Sequence, residues 1–196
     1  NEKIILSKKN GSGKTTLIRI LSGILAPTSG YFYVNDDTFR KINLNQYRSQ
    51  IATITQGETP FEGTLLENIT FNDPNISNDE IKWAIDSVQL TSFIKTLPNG
   101  LDTEILPEGK QLSSSNAQKI LIARSILKKP KILFYEDPTD RMDDETARKI
   151  IDFICQPEHK WTVVVTSTNQ YWKEKASRTI IMEKGRIIND IKINHA

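Results

Sequence analysis

Cysteine is almost absent: Cys155 stands alone in 196 residues. No internal disulfide framework can form, and a reducing compartment suits such a chain. Long apolar runs are missing too. None approaches the roughly 18–20 residues that a membrane-crossing helix needs, and the longest are strand-sized. If the protein works at a membrane, another chain or segment does the spanning. Neither sign of charge is in excess, because Lys+Arg 26 against Asp+Glu 24 leaves +2. That balance offers no electrostatic footprint for nucleic acid or for an anionic membrane surface. The opening residues, Asn1-Glu2-Lys3, lead into a short apolar segment and do not read as a signal peptide. No internal repeat or low-complexity segment interrupts the chain. What remains is 37% hydrophobic and 26% charged, the texture of a soluble, slightly polar globular domain. A chain of this length buries roughly 70% of its unfolded surface.

Residues 3–7 (KIILS) read as a strand buried on both faces. A Gly/Ser/Lys stretch follows, and then Leu17, Ile18, Ile20, Leu21, Ile24 and Leu25 recur at helical spacing until Pro27. Residues 31–34 alternate and predict a strand, as do residues 51–55, which end at Gln56. From Thr64 to Leu127 the spacing is helical, with turn signals at Pro98-Asn99-Gly100 and Leu106-Pro107-Glu108-Gly109. Strands return at residues 131–135 and 162–165, with a helix between them over residues 143–154. A hairpin is expected around Lys184-Gly185. Strands alternating with helices predict an α/β fold: a mostly parallel sheet with helices on both faces. The expected division is a strand-and-helix core over residues 1–63 and 128–196, with a helical subdomain over residues 64–127 inserted into it.

Asn10-Gly11-Ser12-Gly13-Lys14-Thr15-Thr16 lies between the first strand and the first helix. That is the setting a phosphate-binding loop requires. Glycines let backbone N–H groups curl around phosphate oxygens, and the helix N-terminus adds the positive end of its dipole. Lys14 is placed to reach the β- and γ-phosphates, and the Thr15 hydroxyl to ligate Mg²⁺. The pattern's first glycine is replaced by Lys8.

Other polar groups close successive segments in a telling order. Gln56 ends a strand, Ser113-Ser114-Ser115-Asn116 opens a helix, Glu136-Asp137 ends the next strand, and Thr168 follows the last buried one. In this order the chain resembles the nucleotide-binding domain of ATP-binding cassette (ABC) transporters, from residue 1 to about 190. The exporter type is the most similar, through Phe61-Glu62-Gly63-Thr64-Leu65-Leu66-Glu67-Asn68-Ile69 and Leu97-Pro98-Asn99-Gly100-Leu101-Asp102-Thr103-Glu104. The resemblance implies ATP and Mg²⁺ as ligands, with Thr15, Gln56 and Glu136 toward the metal. It implies a transmembrane exporter domain as partner, at the cytoplasmic face of the cell membrane. It also implies a second cassette, whose signature helix closes on the ATP held by the P-loop of the first. Ser113, Ser114, Ser115 and Asn116 would present that helix to the partner's nucleotide.

Against the family pattern several positions depart. The signature Leu-Ser-Gly-Gly-Gln reads Leu112-Ser113-Ser114-Ser115-Asn116, and the two added side chains hinder close backbone approach. The Asp-Glu that ends the family's Walker B strand is reversed to Glu136-Asp137. One methylene moves each carboxylate by roughly 1.5 Å, and a misplacement of about 1 Å can cost ~10²-fold in rate. The family's switch histidine falls at Thr168, whose hydroxyl has neither the reach nor the charge of imidazole. The family also carries two strands ahead of the P-loop strand, with an aromatic that stacks on adenine. Those strands are not found here, and Tyr31, Phe32 and Tyr33 are expected in core or sheet packing instead. Glu136, Asp137 and Thr168 are the candidate catalytic set. Two functional readings remain open: a slow ATPase that powers an exporter, and a non-catalytic nucleotide-binding cassette that regulates a competent partner. A third, an ATPase of nucleic-acid metabolism, is disfavoured by the balanced charge.

Overall fold

The computed structural model describes residues 1–7 and 11–193; Lys8 and Asn10 of the phosphate loop, and His195, lie outside the described residues. The chain begins with β1 (Lys3–Ser7) and α1 (Lys14–Leu21), then a small hairpin, β2 (Tyr33–Val34) and β3 (Asp37–Thr38). Next come α2 (Leu44–Ser49), β4 (Ile51–Ile54), β5 (Gly63–Thr64), α3 (Leu65–Thr70), α4 (Asn78–Ser87) and α5 (Thr91–Thr96). β6 (Glu104–Ile105) leads to α6 (Ser114–Leu127), β7 (Ile132–Glu136), α7 (Asp144–Cys155) and β8 (Thr162–Thr166). The chain closes with α8 (Gln170–Lys175), β9 (Arg178–Glu183) and β10 (Arg186–Lys192).

Six strands form one sheet in the order β10-β9-β1-β8-β7-β4. Every pairing is parallel except that of β10 with β9, as expected from the alternation of strands and helices. Val163, Val165, Leu133 and Tyr135 pack on one side of the sheet with Ile150, Ile151 and Ile154 of α7. Ile18 of α1 packs with Leu6, Phe134 and Val164 on the other. Burial on both faces is why these strands read as unbroken apolar runs. The larger apolar cluster continues without a break from the sheet into α3, α4 and α6.

Helix starts follow their caps. Thr64 with Glu67 and Ser77 with Glu80 form capping boxes for α3 and α4, and Asp143 caps α7. Within residues 64–127 the helices are interrupted by β6, which pairs antiparallel with β5 just ahead of α3 and which the helical spacing did not reveal.

The region after α1 differs from expectation. Only Tyr33–Val34 of the expected strand pairs, and Tyr31 and Tyr33 are 71% and 61% exposed. No layer covers that side of the hairpin, so alternation does not bury them. Phe32 stacks on Phe39 with ring centroids 4.1 Å apart, while the exposed Tyr31 ring meets the Arg40 guanidinium at 5.7 Å. Cys155 is half-buried, and burial pushes its thiol up to about 11, which removes it as a nucleophile at neutral pH.

Candidate nucleotide-binding site

In β1, β8, β7 and β4, four adjacent parallel strands, the C-terminal ends converge on one edge of the sheet. Crevices outside such ends are where open α/β sheets take ligands. β1 hands over to the phosphate loop, β8 to Ser167 and Thr168, β7 to Glu136 and Asp137, and β4 to Gln56.

α1 starts at Lys14 behind Gly13, which takes a left-handed backbone at φ 92. A side chain is disfavoured there twice over. That φ strains any residue other than glycine, and an added Cβ would come within 3.3 Å of the Gly185 Cα. The turn between β9 and β10 thus abuts the loop, and Gly185 N–H donates to the Ser12 carbonyl at 3.1 Å. Among the described residues no side chain caps α1, and no acid lies in its first turn. Its leading N–H groups are suited to an anion. Ser12 is buried and its hydroxyl accepts from Lys14 Nζ at 3.2 Å. Gly11 and Thr16 are exposed, and Thr15 is half-buried beside Lys14.

Glu136 is 4% exposed. Its Oε2 accepts from the Gln56 backbone N–H at 2.9 Å. Its Oε1 is buried without a hydrogen-bond partner among the described residues, and Arg19 Nε lies 3.9 Å from it. A buried, unanswered carboxylate oxygen across from Thr15's helix fits a divalent cation or its water. Gln56 joins this group through its main chain, while the residue as a whole is exposed.

Asp137 is turned differently. Its backbone is left-handed at φ 44. Its N–H donates to the Thr166 carbonyl at 2.8 Å, and its Oδ1 accepts from the Thr168 N–H at 3.2 Å. Burial pushes the Asp137 carboxyl above its ordinary value and Asp140 adds to the rise; the Thr168 N–H, the Ser167 hydroxyl and Lys14 pull it back. The acid expected to orient water is therefore held by the turn that carries Thr168. A second tie joins the same two segments: buried Trp172 of α8 donates from Nε1 to the Thr139 hydroxyl at 3.1 Å.

Ser113, Ser114, Ser115 and Asn116 stand apart from this cluster. The Ser113 hydroxyl accepts from the Asn116 N–H at 3.1 Å and caps α6, and Ser113 and Ser114 are exposed.

Motif reading passes over Arg19, Ser167, Thr139 and Trp172. A lone arginine among Leu17, Ile18, Ile20 and Leu21 is the one available signal for Arg19. A tryptophan four residues past Thr168 is the signal for Trp172.

The pattern that defines the ABC transporter family matches residues 1–140, and the chain belongs to that family. It is 34% identical over 187 residues to the uncharacterized ABC transporter ATP-binding protein YfiB of Bacillus subtilis, covering 95% of this chain and 32% of the relative. It is 30% identical over 197 residues to the ATP-dependent permease MDL1 of Candida albicans, 98% of this chain and 29% of the permease. The ATP-dependent lipid A-core flippase of Neisseria meningitidis is 30% identical over 187 residues, 95% of this chain and 30% of the flippase. The fold superposes on a bacterial Atm1-family ABC exporter with ATP bound at a TM-score of 0.91 and 22% identity, over 97% of this chain and 34% of that one. The chain thus spans about a third of the length of these relatives. Among its described residues no helix is long and apolar enough to cross a membrane.

Proposed function

We propose that the chain is the ATP-binding cassette of a membrane exporter, that it dimerises on nucleotide, and that it hydrolyses ATP slowly. One observation carries this: the uncapped start of α1, the unanswered Glu136 Oε1 and the Asp137–Thr168 pair meet at one edge of four parallel strands. Lys14 and the N–H groups of residues 11–16 bind the phosphates. Thr15, Glu136 and the Gln56 side chain would hold Mg²⁺, which when bound supplies charge neutralisation to the phosphates. Glu136 is nine-tenths withdrawn from solvent and is kept in place by the Gln56 N–H. Asp137 stays bound to the 167–168 turn and reaches attacking water poorly, which weakens turnover more than binding. A non-catalytic regulatory cassette is the second reading, favoured by that same capture of Asp137.

The membrane partner belongs at the face built by residues 58–63 and 103–109. There Phe61 and Phe71 stack at 5.6 Å, and Phe71 and Leu106 are exposed. Arg124 lies beneath both rings, donates to the Asn68 carbonyl at 2.7 Å and faces Glu58 at 3.7 Å. A cavity of about 580 Å³ opens beside them. On this reading the cassette sits at the cytoplasmic face of the membrane, with residues 64–127 as its signature subdomain. A cross-linker placed at position 61 of the full-length protein is expected to capture a membrane-domain loop. Capture confined to the cassette would count against this face.

Sedimentation tests the dimer. With ATP and Mg²⁺ the chain is expected to shift from monomer to a weak dimer, because each nucleotide needs the other chain's Ser113 helix. Binding without any dimer at attainable concentration would show that the serine-opened helix no longer receives phosphate.

A further inference from the structure

Glu136 brings a negative charge into the sheet that its hydrogen bonds answer on one oxygen only. Oε2 has the Gln56 N–H; Oε1 has no donor among the described residues, although the side chain is only 2% exposed. Arg19 approaches that oxygen at 3.9 Å, within ion-pair range but beyond a hydrogen bond. A buried charge is costly unless an opposite charge lies close, and Arg19 supplies one from a side chain that is itself 38% exposed.

The helix explains the approach. Thr15 and Arg19 are four residues apart in α1 and share a face. Helical side chains lean toward the N-terminus, so Arg19 reaches back toward the level of Thr15. Its cationic end lies 3.9 Å from Oε1 of Glu136, one of the two groups read above as facing Mg²⁺. Glutamate's extra methylene matters here, since it carries the carboxylate one bond farther from β7 than an aspartate would.

We propose that Arg19 is the internal counter-ion of Glu136 and competes with the divalent cation there, so that it sets the Mg²⁺ concentration at which nucleotide is held. This rests on the reading that Thr15 and Glu136 face the metal. Without Mg²⁺, Arg19 neutralises the buried acid. With Mg²⁺ entering, the positive charge of Arg19 opposes the ion, and the guanidinium swings outward on its flexible stem. Its exposure makes that movement easy and screens the opposition, so the effect is several-fold and not several hundred-fold.

The test is a Mg²⁺ titration of the full-length protein with ATP, reading the concentration that gives half of the nucleotide-dependent rise in melting temperature. Arg19→Gln and Arg19→Met, the latter keeping the apolar stem, are expected to need at least about threefold less Mg²⁺ than the unmodified protein. Arg19→Lys keeps the charge and is expected to stay close to it. An equal or greater Mg²⁺ requirement in Arg19→Gln and Arg19→Met would overturn the competition. Failure of both variants to fold would also overturn it, because a mere competitor is not required by the core. If the unmodified protein's ATP-dependent stabilisation ignores Mg²⁺, the reading of Thr15 and Glu136 as the metal face falls first, and Arg19's role with it.

Discussion

Replacing Lys14 with alanine is expected to weaken ATP binding at least tenfold, a loss of about 1.4 kcal/mol. Lys14 opens α1 immediately behind the left-handed Gly13, and its Nζ rests on the buried Ser12 hydroxyl. That contact holds the cation over the same end of the helix to which the leading N–H groups point. Removing it leaves the backbone donors and the helix dipole in place, so binding should be reduced and not abolished. The positive charge of Lys14 also draws the Asp137 carboxyl downward, so its loss removes one small influence that favours the ionised acid. Equilibrium binding of ATP to the variant and the unmodified protein measures the effect. An unchanged dissociation constant would contradict the phosphate-loop assignment.

The larger effect is expected on rate. Hydrolysis of a phosphoanhydride in this kind of site depends on positioning and on charge placed around a loose transition state. The acid that orients water must stand within hydrogen-bond reach of it. Asp137 is one methylene short and its Oδ1 is taken by the Thr168 N–H. Thr168 lacks an imidazole, and the Ser114 and Ser115 side chains stand where the family has glycine. From misplacement alone, turnover at least ~10²-fold below that of a relative with intact motifs is expected. Glu136→Asp, Asp137→Glu and Thr168→His together should raise turnover more than any one of them, because groups that act as a unit are not additive. Steady-state ATPase assays of the single, paired and triple variants provide the comparison. A single substitution that matches the triple would show that only one position is at fault.

Much of this site is legible from strand ends. Residues 3–7, 131–135 and 162–165 are short apolar runs that stop at polar groups. Parallel strands buried on both faces produce that texture, and their C-terminal ends must then lie side by side. The glycine turn ahead of α1 is equally legible, because it answers a backbone need that Gly13 meets with φ 92. The reversed acids are visible as letters, but their different fates are not. Glu136 faces the Gln56 N–H because β4 happens to neighbour β7. Asp137 is captured by the next turn because its own backbone is left-handed. Both outcomes depend on sheet order, which periodicity does not encode. Arg19 is hidden for the same reason, since a lone arginine in an apolar stripe gains meaning only from the strand opposite. At residues 31–34 alternation misleads: it signals two faces, but Tyr31 and Tyr33 gain no partner layer and remain exposed.

One measurement bears most directly on the weakened cassette: ATP affinity and ATP turnover determined together on the unmodified chain joined to its own membrane segment. The expected result is nucleotide affinity in the ordinary range for the family, with turnover at least ~10²-fold below that of an intact-motif relative. Turnover at the full family rate would contradict this, and would establish Glu136-Asp137 with Thr168 as a working variant of the site.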